Sequence, residues 1–254
     1  MIFDTHAHYD DEAFDGDREE LLTHMRERGI EYIVNVGASI DSTAKTVELT
    51  EQYPFVYGAA GVHPSETAEL TIKDMEWIRE IADREKIVAI GEIGLDYYWP
   101  EPDKEVQKKW FKEQLKLAKE TGLPVIIHSR DAAADTLEIL KEWDVHKTKG
   151  VIHCFSYTWE IAREYLNMDY HFGIGGVLTF KNAKKLKEAV LHIPMEKILL
   201  ETDCPYLAPE PYRGKRNQSG YIFYVAEQLA ELKNLSREEV LEITAENAKR
   251  FYGI

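Results

Sequence analysis

Eight short apolar runs alternate with longer amphipathic segments along this chain of 254 residues, and this alternation limits the possible folds more than any other feature. The runs are rich in Val and Ile, and several are apolar on successive residues, which is typical of parallel strands covered on both faces. They are Ile2–Phe3, Tyr32–Val36, Val56–Val62, Ile87–Ile93, Pro124–Ile127, Val151–Phe155, His171–Val177 and Ile198–Leu200. We therefore predict eight parallel strands.

The segments between the runs carry helical signals. Ser236 with Glu239, and Thr71 with Asp74, predict capping boxes at the starts of two helices. Strands and helices alternate from end to end with no linker, which predicts one domain over residues 1–254 with the α/β class of a single (β/α)8 TIM-type barrel. The alternative is an open doubly wound sheet, although no GxGxxG motif follows the first run.

The charge balance restricts the partners of the chain. It has 31 basic and 46 acidic residues, and a net charge of −15 repels bulk nucleic acid and anionic membranes. A polyanionic substrate must therefore be attracted locally, by metal ions or a small basic cluster. Two cysteines form no disulfide framework, and neither a signal peptide nor a membrane span is evident. We expect a cytoplasmic protein with no membrane association and no obligate protein partner.

Histidine and carboxylate side chains lie in or directly after six of the eight runs. In a barrel, the carboxyl ends of all strands face one rim, so residues far apart in sequence would meet in one pocket. Buried imidazoles need partners, and a shared metal ion supplies them. The residues are His6, His8, His63, Glu92, His128, His153 and Asp203.

Strand geometry suggests how these residues divide between two ions. A His-x-His pair within one strand points both rings the same way, about 6–7 Å apart. The expected donors are His6, His8, Glu92 and Asp203 for one ion and His128 and His153 for a second. Two divalent ions roughly 3.5–4 Å apart can clamp the attacking and leaving oxygens of a displacement. Glu92 is placed to bridge the ions and Asp203 to orient or deprotonate water, which makes them the expected catalytic residues.

The identity of the ions follows from the donor types. Imidazole suits zinc and manganese, whereas carboxylate suits magnesium and manganese. We expect two divalent ions (magnesium, manganese or zinc), with manganese or zinc bound more tightly. The remaining histidines, His24, His146, His171 and His192, receive no role, and Cys154 and Cys204 are interpreted as small buried hydrophobic residues.

Seven motifs span nearly the whole chain. They are Asp4–His8, Gly61–Pro64, Gly91–Tyr97, Pro124–Arg130, His153–Ser156, Leu200–Tyr206 and Arg213–Asn217. With these motifs, in this order, the chain resembles the TatD family of metal-dependent deoxyribonucleases, within the amidohydrolase-like barrel superfamily. The resemblance implies a barrel, divalent metal ions and hydrolysis of phosphodiester bonds, typically as a 3′-to-5′ exonuclease on single-stranded DNA.

The resemblance also implies the roles of individual residues. By this resemblance, the metal ligands of the chain would be His6, His8, Glu92, His128, His153 and Asp203. His63 would contact the substrate or support the ligands. The chain departs from the family where Arg-Gly-Lys-Arg-Asn usually continues with Glu-Pro, because Gln218 and Ser219 stand there instead.

A small basic cluster follows Asp203 in this acidic chain. Arg213, Lys215 and Arg216 fall within four residues, and Arg130 follows the fifth run. Because arginine matches phosphate oxygens with two hydrogen bonds, we expect these residues to bind substrate. The resemblance to the family adds His63 to them. The alternative is a solvated loop that neutralises nearby acidic groups. The aromatic segment 97–99 could stack on an exposed base or simply pack at the rim.

Two further functions remain open from the sequence. The same metal site would also cleave an amide or ester, such as an aminoacyl ester of tRNA, since fold does not fix function. A non-catalytic metal or nucleic-acid binding module is the third hypothesis. Structural zinc sites usually have four closed ligands that include cysteines, which argues against the third. We expect single-stranded DNA or other nucleic-acid ends as the substrate.

Overall fold

The sheet contains eight parallel strands. The structure, a computed structural model, describes residues 1–143 and 147–254. Its strands are β1 Ile2–Ala7, β2 Ile30–Val36, β3 Val56–Ala60, β4 Ile87–Asp96, β5 Val125–Arg130, β6 Gly150–Ile152, β7 His171–Ile174 and β8 Ile198–Leu200. They are hydrogen-bonded in the order β1 to β8. An order without reversal excludes the open doubly wound sheet and confirms the predicted (β/α)8 TIM-type barrel fold class.

Helices follow most of the strands. They are α1 Arg18–Thr23, α2 Ile40–Gln52, α3 Ile72–Ala82, α4 Lys104–Thr121, α5 Ala133–Trp143, α6 Trp159–Asn167, α7 Lys184–His192, α8 Ile222–Lys233 and α9 Arg237–Tyr252. Both predicted capping boxes are present, with Thr71 and Asp74 at α3 and Ser236 and Glu239 at α9. Each pair satisfies two backbone N–H groups that the first helical turn leaves free. Within residues 1–143 and 147–254, no helix combines the length and apolar character needed to cross a membrane.

Burial explains why the strands read as continuous apolar runs. Every residue of β1 and of β4 is buried, as expected for parallel strands covered on both faces. Helix α4 supplies part of the cover for β4 through Trp110 and Phe111, which are almost completely buried. The helix ends at Gly122, whose φ of 72° is the left-handed conformation that glycine adopts most easily.

The described chain divides into two compact units. The first unit comprises residues 1–35, 154–163 and 171–254, and the second comprises residues 36–153 and 164–170. In the first unit, Ala7 at the end of β1 forms a parallel bridge with Cys204, after β8. In the second unit, β4 pairs with β5 so that Gly94 lies opposite His128. The expectation of one domain over residues 1–254 stays a prediction.

The histidines without an assigned role lie away from the ends of the strands that carry the motifs. His24 follows α1, His192 ends α7 and His171 begins β7. His146 lies outside the described residues.

Candidate metal centres

His6, His8 and Asp203 form a cluster in the first unit, which we call the first cluster. Nε2 of His6 lies 3.1 Å from Nε2 of His8, and Oδ1 of Asp203 lies 3.7 Å and 3.4 Å from these two atoms. Both histidines are buried, and the Asp203 side chain is 14 % exposed. His6 lies on β1 and His8 directly follows it, and their spacing of two residues brings both rings to the same side, as expected from the sequence.

Main-chain hydrogen bonds hold the three residues of the first cluster in place. The backbone N–H of Asp203 donates to the carbonyl of His6 (2.9 Å), and that of His8 donates to the carbonyl of Cys204 (2.8 Å). Asp203 itself has a φ of 57°, in the left-handed region. Since a non-glycine residue adopts this region only when its surroundings fix it, the position of the carboxylate is set by the backbone.

Asp4 anchors the segment that carries Asp203. Its buried carboxylate accepts hydrogen bonds from Oγ1 of Thr202 (2.6 Å), from the backbone N–H of Thr202 (3.0 Å) and from Oγ of Ser219 (2.6 Å). Burial raises the pKa of Asp4 to about 6, and the hydrogen bonds from Ser219 and Thr202 oppose this rise. Asn217 adds a hydrogen bond from Nδ2 to the Thr202 carbonyl (2.7 Å). Thr202, the residue next to Asp203, is thus held by three hydrogen bonds, two to Asp4 and one from Asn217.

Ser219 explains how this chain accommodates its departure from the family pattern. The Ser219 backbone N–H donates to the Tyr9 hydroxyl (3.0 Å), and that hydroxyl donates to Oγ of Ser219 (2.8 Å). Proline at this position would provide neither the N–H nor the hydroxyl. The serine therefore joins the buried Asp4 carboxylate to the buried Tyr9 side chain.

Glu92, His128 and His153 form the core of a cluster in the second unit, which we call the second cluster. Oε1 of Glu92 lies 2.7 Å from Nδ1 of His128 and 2.8 Å from Nε2 of His153, and the two ring nitrogens are 3.1 Å apart. Burial alone would raise the pKa of Glu92. Nearby His153 and His63 and the hydrogen bonds from His128 and His153 outweigh it and hold the pKa well below its ordinary value. Glu92 is therefore an ionised carboxylate facing imidazole nitrogens.

His63 lies beside the second cluster with one ring nitrogen already engaged. Its Nδ1 accepts a hydrogen bond from the backbone N–H of Ser65 (3.1 Å), and Nε2 lies 3.7 Å from Oε1 of Glu92. Burial lowers the pKa of His63 to about 3, and nearby His128 acts in the same direction. A neutral imidazole whose Nδ1 is an acceptor carries its proton on Nε2. His63 therefore presents an N–H donor to the cluster.

Asp96 also contacts the second cluster, although its place in the sequence predicted no role for it. Its Oδ2 lies 3.1 Å from Nε2 of His128, while Nδ1 of His128 faces Glu92. A carboxylate on the far nitrogen of a histidine ligand fixes the orientation of the ring. Asp96 follows Glu92 by four residues on β4, so the even spacing along one strand is the signal that would have identified it.

Two buried glutamines on α4 hold the backbone beside the second cluster. Gln107 accepts from the backbone N–H of Asp96 (2.9 Å) and donates to its carbonyl (2.9 Å). Gln114 does the same for Val62, next to His63, at 2.8 Å and 3.0 Å. Because they are seven residues apart, both glutamines lie on the buried face of α4. Polar residues within that apolar stripe are the sequence signal that could have identified them.

The donor sets of both clusters fit a divalent metal ion. Imidazole nitrogens and carboxylate oxygens are the ligands such ions prefer. Donors at about 2.0–2.2 Å from one ion lie about 3–3.5 Å from one another. In the first cluster, the donor atoms of His6, His8 and Asp203 lie within 4.8 Å of one another. In the second cluster, the donor atoms of Glu92, His128 and His153 lie 2.7–3.1 Å apart. All six predicted ligands fall in these clusters, and the bridging role of Glu92 stays a prediction.

The predicted phosphate-binding residues differ in whether their charged groups are already paired within the protein or remain accessible to a ligand. The Arg216 guanidinium is bound by both carboxylate oxygens of Asp17 (2.7 and 2.5 Å) and by the carbonyl of Ala13 (2.7 Å). Arg213 is exposed and lies over the Phe180 ring at 4.3 Å, and Lys215 is exposed. In the second unit, Arg130 is exposed at the end of β5. Arg216 is thus committed to an ion pair, whereas the other three cations remain accessible.

Only one of the two cysteines is the small buried residue that the sequence predicted. Cys204 is completely buried, and burial raises the pKa of its thiol. Cys154 is half-buried, and its backbone N–H donates to Oε1 of the buried Glu201 (2.5 Å). Both cysteines are free of disulfides.

Known proteins resemble this chain over its full length. The family model described as TatD related DNase matches residues 3–253. The chain is 48 % identical to YabD of Bacillus subtilis and 36 % identical to YcfH of Escherichia coli, both named uncharacterized metal-dependent hydrolases. These alignments cover 100 % of this chain, 100 % of YabD and 96 % of YcfH.

A solved structure agrees with these relatives. The crystal structure of YjjV, a TatD homolog from Escherichia coli K12, is 31 % identical and superimposes with a TM-score of 0.93. The match covers 100 % of this chain and 98 % of that one. Together with the two clusters of imidazole and carboxylate donors, these matches show that the chain belongs to the TatD family and is a metal-dependent hydrolase.

Proposed function

We propose that the protein is a 3′-to-5′ exodeoxyribonuclease that hydrolyses phosphodiester bonds at the ends of single-stranded DNA. The observation that carries the proposal is the second cluster, where one oxygen of Glu92 faces His128 and His153. An accessible arginine, Arg130, follows His128 by two residues on β5. Arginine matches phosphate oxygens with paired hydrogen bonds, which suits a phosphodiester substrate. The description of the matching family as DNases supports the same substrate.

The residues of the clusters have distinct roles in this proposal. Two divalent ions held by the clusters would stabilise charge on the phosphoryl oxygens and lower the pKa of water. Asp203, whose side chain is partly exposed, orients the attacking water and accepts its proton. His63 donates a hydrogen bond from its Nε2–H group to a phosphoryl oxygen. Glu92 remains ionised and would hold an ion together with His128 and His153, and the imidazole donors would favour manganese or zinc over magnesium.

The charge distribution favours a strand end over a duplex. In a protein of net charge −15, the accessible cations Arg130, Arg213 and Lys215 provide few phosphate contacts. Affinity for single-stranded DNA then falls only gradually with salt, since each phosphate contact adds about 0.7 to the slope. We place the enzyme in the cytoplasm, because two cysteines in a chain of 254 residues are too few for a disulfide framework, and we expect it to act without an obligate protein partner.

The proposal is tested with metal-stripped protein. Magnesium, manganese or zinc is added back singly, and single-stranded DNA labelled at either end is offered. We expect a ladder of products shortened from the 3′ end. Glu92→Ala and His128→Ala abolish it, whereas the exposed control substitutions Glu101→Ala and His24→Ala leave it unchanged.

Two outcomes would contradict the proposal. Products shortened from the 5′ end would show that the enzyme degrades DNA with the polarity opposite to the one proposed. A wild-type protein that cleaves no DNA with any of the three metals, yet turns over an aminoacyl ester, would favour the amide or ester hydrolase that the same donor set can support.

A further inference from the structure

Two large aromatic side chains are exposed directly after β4. Tyr98 is 52 % exposed and Trp99 57 % exposed, and their ring centroids lie 4.8 Å apart with the ring planes perpendicular. Aromatic residues usually bury most of their surface, so adjacent exposed rings indicate a binding surface.

Their neighbour Tyr97 shows what packing at this rim looks like. Its hydroxyl donates to Oδ2 of Asp135 (2.7 Å), and Nζ of Lys104 lies 4.2 Å from its ring centroid. Its backbone N–H donates to the carbonyl of Arg130 (2.9 Å). Tyr97 is thus satisfied by its own surroundings. Packing accounts for Tyr97 but not for the two exposed rings that follow it.

A cation completes this surface. The guanidinium carbon of Arg130 lies 3.7 Å from the centroid of the Tyr98 ring. Within residues 1–143 and 147–254, no carboxylate pairs with Arg130, whereas neighbouring Lys108 is paired with Glu105 and Asp135. Stacking leaves the N–H groups at the edge of the guanidinium available for an anion.

The exposed rings are linked to the second cluster through one side chain. The backbone N–H of Tyr98 donates to Oδ1 of Asp96 (2.9 Å), and Oδ2 of Asp96 lies 3.1 Å from Nε2 of His128. Arg130 follows His128 by two residues on β5, so their side chains leave the strand on the same side. A nucleotide held on this surface therefore lies beside the metal ligands of the second unit.

We infer that Tyr98, Trp99 and Arg130 form a subsite for one unpaired nucleotide of the substrate, with the base stacked on the aromatic rings and its phosphate bound by Arg130. The inference deepens the proposed function and rests on it. Stacking accepts any base, because every base has an aromatic face, so the subsite selects single strands without selecting sequence. A base paired in a duplex does not present its face, so the subsite disfavours double-stranded ends.

The subsite is tested by binding. The full-length chain is loaded with manganese and titrated with a fluorescent single-stranded oligonucleotide whose linkages are hydrolysis-resistant phosphorothioates. A second oligonucleotide has abasic nucleotides at its 3′ end. Because stacking contributes about 1–3 kcal/mol per base, Tyr98→Ala and Trp99→Ala should each weaken binding of the normal oligonucleotide by about 5- to 150-fold. These two variants should bind the abasic oligonucleotide as tightly as the wild type does. Ile72→Ala, which removes an exposed apolar side chain elsewhere, is the control and should leave the affinity for both oligonucleotides unchanged.

The outcomes separate this inference from the proposed function. The subsite is refuted, even where the wild type cleaves DNA, if both aromatic variants bind the normal oligonucleotide as tightly as the wild type does. It is also refuted if their affinity for the abasic oligonucleotide falls as much as their affinity for the normal one. If the base-dependent loss is seen but the wild type cleaves no unmodified DNA, the subsite stands and the nuclease proposal fails. A wild type that binds neither oligonucleotide refutes both.

Discussion

Oδ2 of Asp96 lies 3.1 Å from Nε2 of His128, and the other ring nitrogen of His128 lies 2.7 Å from Oε1 of Glu92. Burial would lower the pKa of His128, but the hydrogen bonds with Asp96 and Glu92 outweigh it and raise the pKa. The imidazole is therefore fixed between two carboxylates. In a metal site, the second carboxylate determines which ring nitrogen faces the ion.

Replacing Asp96 with asparagine should weaken metal binding without removing a ligand. An amide cannot replace the carboxylate charge behind His128, and losses of such partners typically reduce metal affinity by about 10- to 100-fold. Calorimetric titration of the stripped variant with manganese measures the change. Asp131→Asn is the matched control, because Asp131 is exposed and its left-handed φ of 52° suits asparagine. Equal affinities in the two variants would show that Asp96 does not support the site.

Replacing His63 with alanine should slow hydrolysis while leaving the metal content unchanged. The Ser65 N–H occupies Nδ1, so Nε2 carries a proton and has no lone pair for an ion. Loss of a donor to developing charge costs about a hundredfold or more in kcat. Metal analysis and steady-state kinetics check both parts, and His63→Gln, which retains an N–H donor, should recover part of the rate. A variant that binds fewer ions would make His63 a ligand instead.

The fold was predictable because its signals are local. Buried parallel strands must be apolar on both faces, so each of the eight runs marks a strand. The capping boxes at Thr71 and Ser236 were predictable for the same reason, since a reciprocal pair spans only three residues. Strand ends were less predictable. β4 continues to Asp96, past the last residue of its apolar run, because Gly94 and Asp96 remain paired with β5.

The parts of the candidate site that carry sequence motifs were predictable. The parts that depend on contacts between residues distant in sequence were not. The six expected ligands lie in strands or shortly after them and carry recognisable spacing. Gln107 reaches Asp96 from a helix, and Ser219 reaches Asp4 over 215 residues, so no local pattern reveals either contact. The basic loop illustrates the same limit, because its three cations are equivalent in sequence. Only the structure distinguishes Arg216, which is paired with Asp17, from Lys215.

Two cations of the basic loop should have different roles, with Lys215 binding DNA and Arg216 stabilising the fold. Lys215→Ala should reduce the slope of log affinity against log salt for single-stranded DNA by about 0.7, the value for one lost phosphate contact. Arg216→Ala should leave that slope unchanged and lower the free energy of unfolding by at most about 1 kcal/mol, since the ion pair with Asp17 is partly exposed. Salt-dependent binding and urea denaturation measure the two effects. A reduced slope in the Arg216 variant would mean that the ion pair opens to hold phosphate.

Gly94 lies on β4, the strand that carries Glu92, directly opposite His128 on β5, and alanine should not be tolerated there. A Cβ at this position would lie 2.0 Å from the carbonyl oxygen of His128, and the φ of 144° is one that side chains rarely adopt. Because the clash is with backbone of β5, relief requires the strands to separate. We expect Gly94→Ala to lower the free energy of unfolding by more than about 3 kcal/mol, combining backbone strain with lost strand pairing.

Gly122 provides the matched comparison for Gly94. It also has a positive φ, 72°, but a Cβ there would meet no atom within 4 Å. Gly122→Ala therefore suffers only the conformational penalty of a left-handed residue, about 1–2 kcal/mol. Urea denaturation of both variants separates steric clash from backbone conformation. Equal destabilisation would mean that β4 and β5 can move apart at Gly94 without cost, and the metal ligands on these strands would then not be held as rigidly as their hydrogen bonds indicate.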